Sequence, residues 1–279
     1  MKPRAATYML ISAMAFAVMY LLAKQLSHYG GYELTFFRAL GTWVLALGYL
    51  LYKGISPIGN RPKLLIARGV TGGGSLLLFF LAIEHVPITA AVTIRYLMPL
   101  FGIVFALWFL KERVRPIQWF FFLMAFTGVM LLKGFDGRFS GYGLGLILVS
   151  AVLGGMTLFI VRYIGKTEHP LVIVTYFTGT AGILGLLGML FTKGAYHTPA
   201  QADIIPFIAI GLVGFVGQAF MTVAMQIEVA SKVMPLKYLE AVFLLGLSFV
   251  FLNETYGLYA LLGMLLILTG NILNVFTKQ

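Results

Sequence analysis

The sequence predicts an all-α polytopic membrane protein, with ten transmembrane helices forming two inverted five-helix repeats. Three observations carry that reading. First, 60% of the 279 residues are hydrophobic and 10% are charged, and the mean hydropathy is +0.96. A soluble domain runs at roughly 45–50% apolar and about 25% charged, so this chain has too few charges to cover a water-soluble globule. Second, apolar stretches long enough for a ~30 Å hydrocarbon core, about 20 residues each, recur along the whole chain. Third, the second half repeats the first.

The ten stretches fall at 6–25, 34–52, 64–84, 88–110, 117–133, 142–164, 171–191, 204–226, 232–252 and 256–275. The first follows Met1-Lys2-Pro3-Arg4 and runs to about Ala23, longer than the 7–15 residues of a signal-peptide core, which makes it an uncleaved span. The third ends at Glu84-His85, ahead of Pro87. Pro99 lies inside the fourth, where loss of a backbone donor predicts a kink that exposes carbonyls beside Arg95. The seventh carries Gly182, Gly185 and Gly188, the eighth Gly211, Gly214 and Gly217, and the third Gly72-Gly73-Gly74. Small residues at helical spacing let helix backbones approach closely. Trp43, Trp108 and Trp119 read as bilayer or interface aromatics. Short connections leave no stretch for a soluble domain.

The repeat is visible residue by residue. An offset of 142 places Gly69, Gly72, Tyr96, Glu112, Thr127 and Gly128 on Gly211, Gly214, Tyr238, Glu254, Thr269 and Gly270. An offset of 140 places Thr35, Phe37 and Lys53 on Thr175, Phe177 and Lys193, and one of 138 places Ser12-Ala13 on Ser150-Ala151. The repeats are assigned to 1–136 and 137–279. Five spans is an odd number, so the second repeat lies upside down relative to the first. Inverted repeats are common in secondary transporters, which work around a site at the repeat interface.

The cations set the orientation. With the N-terminus inside, thirteen fall in cytoplasmic segments: Lys2, Arg4, Lys53, Arg61, Lys63, Arg68, Lys111, Arg113, Arg115, Arg162, Lys166, Lys232 and Lys278. Four fall opposite: Lys24, Lys133, Arg138 and Lys193. The bias places both termini in the cytoplasm. The net charge of +11 is thus a topological signal, not a nucleic-acid surface.

Arg38, Arg95 and Lys237 remain within spans. A charge there costs roughly 2.5–3.5 kcal/mol on insertion scales and usually faces a cavity or a partner. Arg95 and Lys237 are repeat partners, each followed by a tyrosine, Tyr96 and Tyr238, that supplies an aromatic wall and a hydroxyl. Glu240 lies three residues beyond Lys237 on the same helix face. The functional reading is a cavity in which Arg95 and Lys237 bind a carboxylate or phosphate. Glu240 then holds a substrate amine, neutralises Lys237 or carries a proton. The competing reading is a set of compensated charges that lock helices together. Arg38 either lines the cavity mouth or snorkels to the headgroups. Glu84 and His85 read better as an exposed loop pair than as a proton relay. Glu112 and Glu254, each just ahead of a helix N-terminus, read as caps rather than catalytic groups. Asn253-Glu254-Thr255 matches a glycosylation sequon too close to a span to be one.

The stretch from Pro99-Leu100-Phe101 through Leu110-Lys111-Glu112-Arg113 to Thr127-Gly128-Val129 resembles the drug/metabolite transporter superfamily, and within it the EamA-type branch. The second half carries the pattern again, as Pro235-Leu236-Lys237-Tyr238 through Leu252-Asn253-Glu254 to Thr269-Gly270. The resemblance covers the whole chain and implies transport of a small metabolite without naming it. Arg95 departs from the neutral residue expected before Tyr96.

No zinc, phosphate-loop or nucleophile motif occurs, and there is no cysteine. No cofactor is implied, and without an ATP site the energy source is an ion gradient, exchange or the substrate's own gradient. The expectation is an inner-membrane secondary transporter of a small anionic or zwitterionic metabolite, such as an amino acid or organic acid. Its partners are that substrate, the lipid bilayer, and a coupling proton or counter-substrate, with no nucleic acid. Two alternatives stay open: multidrug efflux of lipophilic or cationic compounds, and an intramembrane enzyme acting on a lipid-linked substrate. Oligomeric state and direction are not legible.

Overall fold

The computed structural model describes residues 2–86, 91, 94–133, 140–192, 196–252 and 257–277. Among the described residues ten helices of 13 residues or more follow in order: α1 (Pro3–Gln25), α2 (Gly31–Tyr52), α3 (Pro62–Ala82), α4 (Met98–Leu110), α5 (Pro116–Lys133), α6 (Gly141–Ile164), α7 (Pro170–Phe191), α8 (Gln201–Ile227), α9 (Leu239–Leu252) and α10 (Leu258–Phe276). A four-residue helix, Ala230–Val233, and a 3₁₀ turn, Met234–Tyr238, lie between α8 and α9. The described residues contain no strand. Among the described residues, seven helical stretches are long and apolar enough to cross a membrane, and three shorter apolar helices accompany them. α1, with 23 residues, is about 35 Å long at 1.5 Å per residue. Large apolar side chains such as Trp108, Phe249 and Leu265 point outward. That exterior suits lipid and would be an aggregation surface in water.

Proline and glycine punctuate the helices. Pro3, Pro62 and Pro170 open α1, α3 and α7, where their missing amide costs nothing. The carboxylate of Glu33, fully buried, accepts from the Gly30 amide at the start of α2. Glu168 does the same for the amides of Asn60 and Arg61 at the start of α3.

The two halves of the chain pack on each other more than on themselves. α1 lies along α8, α3 along α6 and α7, α2 along α7 and α8, α4 along α6, α1 along α9, and α5 along α10. Two glycines let α2 and α8 touch: a Cβ on Gly41 would fall 2.8 Å from the Cα of Gly211, and the reverse also holds. Thr42 reinforces that crossing by donating to the Gly211 carbonyl at 3.0 Å. Ser12 donates to the Gly217 carbonyl at 2.8 Å, and Ser150 donates to the Ser75 carbonyl at 2.6 Å. Among the glycines read from the sequence as close-packing positions, Gly185 leaves no room for a Cβ against the backbone of Tyr32 and Phe36, whereas Gly74 and Gly182 have room for one.

Two sequence expectations need correction. Arg68 is not in a cytoplasmic segment; it lies six residues inside α3 and is 1% exposed. Pro99 does not kink a helix interior, because it stands in the first turn of α4. The chain turns at Tyr96 and Leu97 just before it. The stretch around Lys237 runs as one apolar span over Ala230–Phe251, as expected, but it is not α-helical throughout, since Met234–Tyr238 is a 3₁₀ turn carrying Pro235. Pro87, Arg138, Lys193, Glu254, Lys278, the Asn253-Glu254-Thr255 sequon and the start of the 88–110 stretch lie outside the described residues.

Candidate functional site

Both helix interruptions deliver charged side chains to the middle of the bundle. Residues in 3₁₀ and turn conformation aim their side chains differently from an α-helix, and such stretches often mark functional hinges. From the first, Arg95 and Tyr96 reach a central cavity; from the second, Lys237 reaches it, with Glu240 in the first turn of α9. α2 adds Arg38, α3 adds Arg68, Gly72 and Ser75, and α1 adds Phe16 and Tyr20. Thr157 of α6, Phe177 of α7 and Gln218 of α8 complete the wall. In this conformation the cavity measures about 50 Å³. That is room for a few waters at roughly 10–15 Å³ each, not for a metabolite.

Each cation has its own setting. Lys237 Nζ donates to Glu240 Oε2 at 3.0 Å and sits 4.6 Å from the centre of the Phe16 ring. Glu240 also lies at a helix N-terminus, where a negative charge is favoured. The Arg95 guanidinium lies 4.3 Å above the Phe79 ring and reaches the Tyr20 hydroxyl at 3.5 Å. Arg68 lies 4.4 Å above the Phe177 ring. Arg38 is 5% exposed and lines the cavity, so it does not snorkel to the headgroups. Among the described residues, no carboxylate stands within ion-pair distance of Arg38, Arg68 or Arg95.

The other described acids are engaged elsewhere. Glu33, Glu84, Glu168 and Glu228 accept backbone amides, Glu112 holds Arg162, and Asp203 holds His28 and Tyr29. Four cations therefore face one carboxylate. Eight buried side-chain polar atoms lack a protein partner among the described residues. Five belong to this wall: Arg68 Nε and Nη1, Arg95 Nε, the Tyr96 hydroxyl and Gln218 Oε1. Buried polar atoms are normally satisfied, and five of these eight gather at this one wall.

Of the residues singled out in the sequence, Arg38, Arg95, Tyr96, Lys237 and Glu240 come together. Tyr238 does not line the cavity; it is fully buried behind Tyr96, with ring centres 6.0 Å apart at 68°. Glu84 is the exposed loop residue expected, and it accepts the Gly31 amide at 2.7 Å. Glu112 does cap a helix, but a different one. Its Oε2 accepts from Ala230, at the start of the four-residue helix, at 3.0 Å, and its Oε1 accepts from Arg162 at 2.7 Å. Sequence reasoning missed Arg68, Tyr20 and Gln218. The signal for Arg68 was its position inside the 64–84 apolar stretch.

A model of the EamA-like transporter family matches residues 3–133 and again 141–276. This chain belongs to the EamA-like transporter family. It is a multi-pass membrane protein of the drug/metabolite transporter group. The pseudopaline exporter CntI of Pseudomonas aeruginosa (strain UCBPP-PA14) is 29% identical, over 96% of this chain and 95% of its own length. Human solute carrier family 35 member G1 is 28% identical over 95% of this chain and 77% of its own. An S-adenosylmethionine uptake transporter of Rickettsia prowazekii is 23% identical over 89% and 84%. A solved crystal structure with 18% identity superposes with a TM-score of 0.85, covering 96% of this chain and 94% of the other, a likeness of fold.

Proposed function

We propose that this transporter carries a small anionic or zwitterionic metabolite, such as an amino acid or organic acid, through the cavity that Arg38, Arg95 and Lys237 line. The observation that carries the reading is the excess of cations over carboxylates in one buried cavity, with guanidinium N–H groups that meet no protein acceptor. Uncompensated buried charge is costly, and an anionic cargo offsets that cost on arrival. Arg95 supplies a planar fork for a carboxylate. Glu240 neutralises Lys237, receives a substrate amine or exchanges a proton. Tyr96 brings a buried hydroxyl, and Tyr238 backs it. A cationic or lipophilic drug gains nothing from such a lining, and an enzyme would need a catalytic constellation that these residues do not form.

The mechanism we propose is alternating access between two inverted five-helix repeats, 1–136 and 137–279. The pattern of helix contacts supports it. Exchanging α1–α5 with α6–α10 turns the α1–α8 contact into α6–α3, and α4–α6 into α9–α1, and it leaves α2–α7 and α5–α10 unchanged. The bonds from Ser12 to Gly217 and from Ser150 to Ser75 exchange in the same way, at the offsets 138 and 142 seen in the sequence. The family match, which falls twice along the chain, is further support. The setting is the inner membrane with both termini in the cytoplasm. Without Arg68 the positive-inside count is twelve to four, still a clear bias. Driving force comes from an ion gradient or exchange. The named relatives include an exporter and an uptake transporter, so direction is not inherited from them.

The test is exchange in liposomes holding the purified protein, preloaded with labelled amino acids and organic acids and challenged with unlabelled candidates. Exchange of an anionic or zwitterionic compound that disappears in Arg95→Ala and in Lys237→Ala is the expected result. Exchange that survives both substitutions refutes the cavity, and a product chemically altered in sealed vesicles would point to an enzyme.

A further inference from the structure

Arg68 is the cavity cation that the charge pattern of the sequence hid. It is 1% exposed, and its Nε and Nη1 meet no acceptor in the protein. The side chain folds back along its own helix. A Cβ at Gly72, one turn on, would overlap Arg68 Nη1 and fall 2.8 Å from the Phe177 ring. Glycine at 72 is therefore what opens a place for the guanidinium between α3 and α7. Phe177 holds its face at 4.4 Å, which leaves the N–H edge free for an acceptor.

Arg68 is also separated from Arg95. One guanidinium lies over Gly72 and the other over Phe79 of the same helix. Seven residues at 1.5 Å each set them roughly 10 Å apart along the axis of α3. A single carboxylate cannot bond both. Lys237 is already matched by Glu240, so the excess of charge sits on arginines at two levels of one cavity.

We propose that Arg68 is a second anion-binding residue and that the transported compound carries two anionic groups spaced along the bundle axis, one met by Arg95 and the other by Arg68. Such a compound is a dicarboxylate or a phosphorylated acid. The assignment rests on the anionic reading of the cavity given above and narrows its substrate class.

The test uses the full chain in liposomes and pairs of probes that differ by one anionic group: succinate and succinamate, glutarate and glutaramate, and glutamate and glutamine, each pair of equal length, together with phosphoserine and serine. The expected result is that at least one doubly anionic probe is exchanged with an apparent affinity about 10- to 100-fold above its partner, the range for one charged hydrogen bond. The carboxylate and phosphate arms distinguish the two sources of the second anion. Arg68→Gln should collapse that ratio towards one, with the singly anionic partner losing far less. Gly72→Ala, which keeps the charge but displaces the guanidinium, should lower the ratio in the same direction and carries the test if Arg68→Gln does not fold. Equal exchange of both members in every pair, or a preference that survives both variants, overturns the two-anion assignment and leaves the anionic cavity standing. Exchange of neutral or cationic compounds with no acid transported overturns both.

Discussion

The Glu112 carboxylate accepts the Ala230 amide at 3.0 Å, a bond between residues 118 positions apart in the chain. Its second oxygen takes Arg162 Nε at 2.7 Å. One side chain thus ties the α4–α5 connection to α6 and to the short helix before α9. Glu112→Ala should lower stability by about 1.5–3 kcal/mol, the range for charged hydrogen bonds, read as thermal unfolding in detergent. Arg162→Gln should cost less, because the bond to Ala230 survives. Equal losses in the two variants would mean that the amide bond contributes nothing.

Lys237 and Glu240 form a buried pair at 3.0 Å. Removing one partner of such a pair leaves a charge without compensation, at roughly 3–5 kcal/mol, whereas replacing both is often near neutral. Glu240→Gln should therefore destabilise the protein more than the Lys237→Met, Glu240→Met double variant. The double variant should be stable and inactive in exchange. If the double variant unfolds as readily as the single one, the pair is a structural lock.

The crossing of α2 and α8 has no room for a side chain at its centre. Gly211→Val forces two backbones apart and should cost about 1–3 kcal/mol or more, as overpacking does. Gly246, with open space around it, is the control: Gly246→Ala should leave the melting temperature unchanged or raise it.

His169 supplies a pH dependence. It caps α7 by accepting the Leu171 amide through Nδ1 at 3.2 Å, and partial burial lowers its pKa below the ordinary value of about 6.5. The folded protein therefore binds the proton less well than the unfolded chain. The stabilisation is complete above about pH 6.5 and is lost as pH falls through the lowered value. His169→Asn keeps a cap without a titrating group, and should flatten the melting temperature between pH 7 and pH 5 relative to the parent.

The all-helical membrane architecture was legible in the sequence, because long apolar stretches are written in composition. The meeting of Arg95, Lys237 and Glu240 was legible too, since a charge inside an apolar stretch has few places to go. Arg68 was not. Its position near the N-terminal end of α3, beside Arg61 and Lys63, makes it look like one more topological cation, and only the fold shows that Gly72 and Phe177 draw it inward. Tyr238 misled in the opposite way. The repeat makes it the twin of Tyr96, but the 3₁₀ turn rotates it away from the cavity and behind that ring. The partner of Glu112 was out of reach because a cap donated across 118 residues leaves no local pattern.

The interlocking of α1 with α8, α2 with α7 and α3 with α6 has a consequence for how the protein is made. None of the first three helices finds its main partner until residues beyond 140 have entered the bilayer. At about 5–20 residues per second, the ribosome takes roughly 10–30 s to supply the rest. For that interval the first helices stand in lipid with Arg38 and Arg68 unshielded by the segments that later enclose them. Completion of the early half is paced by synthesis of the late one.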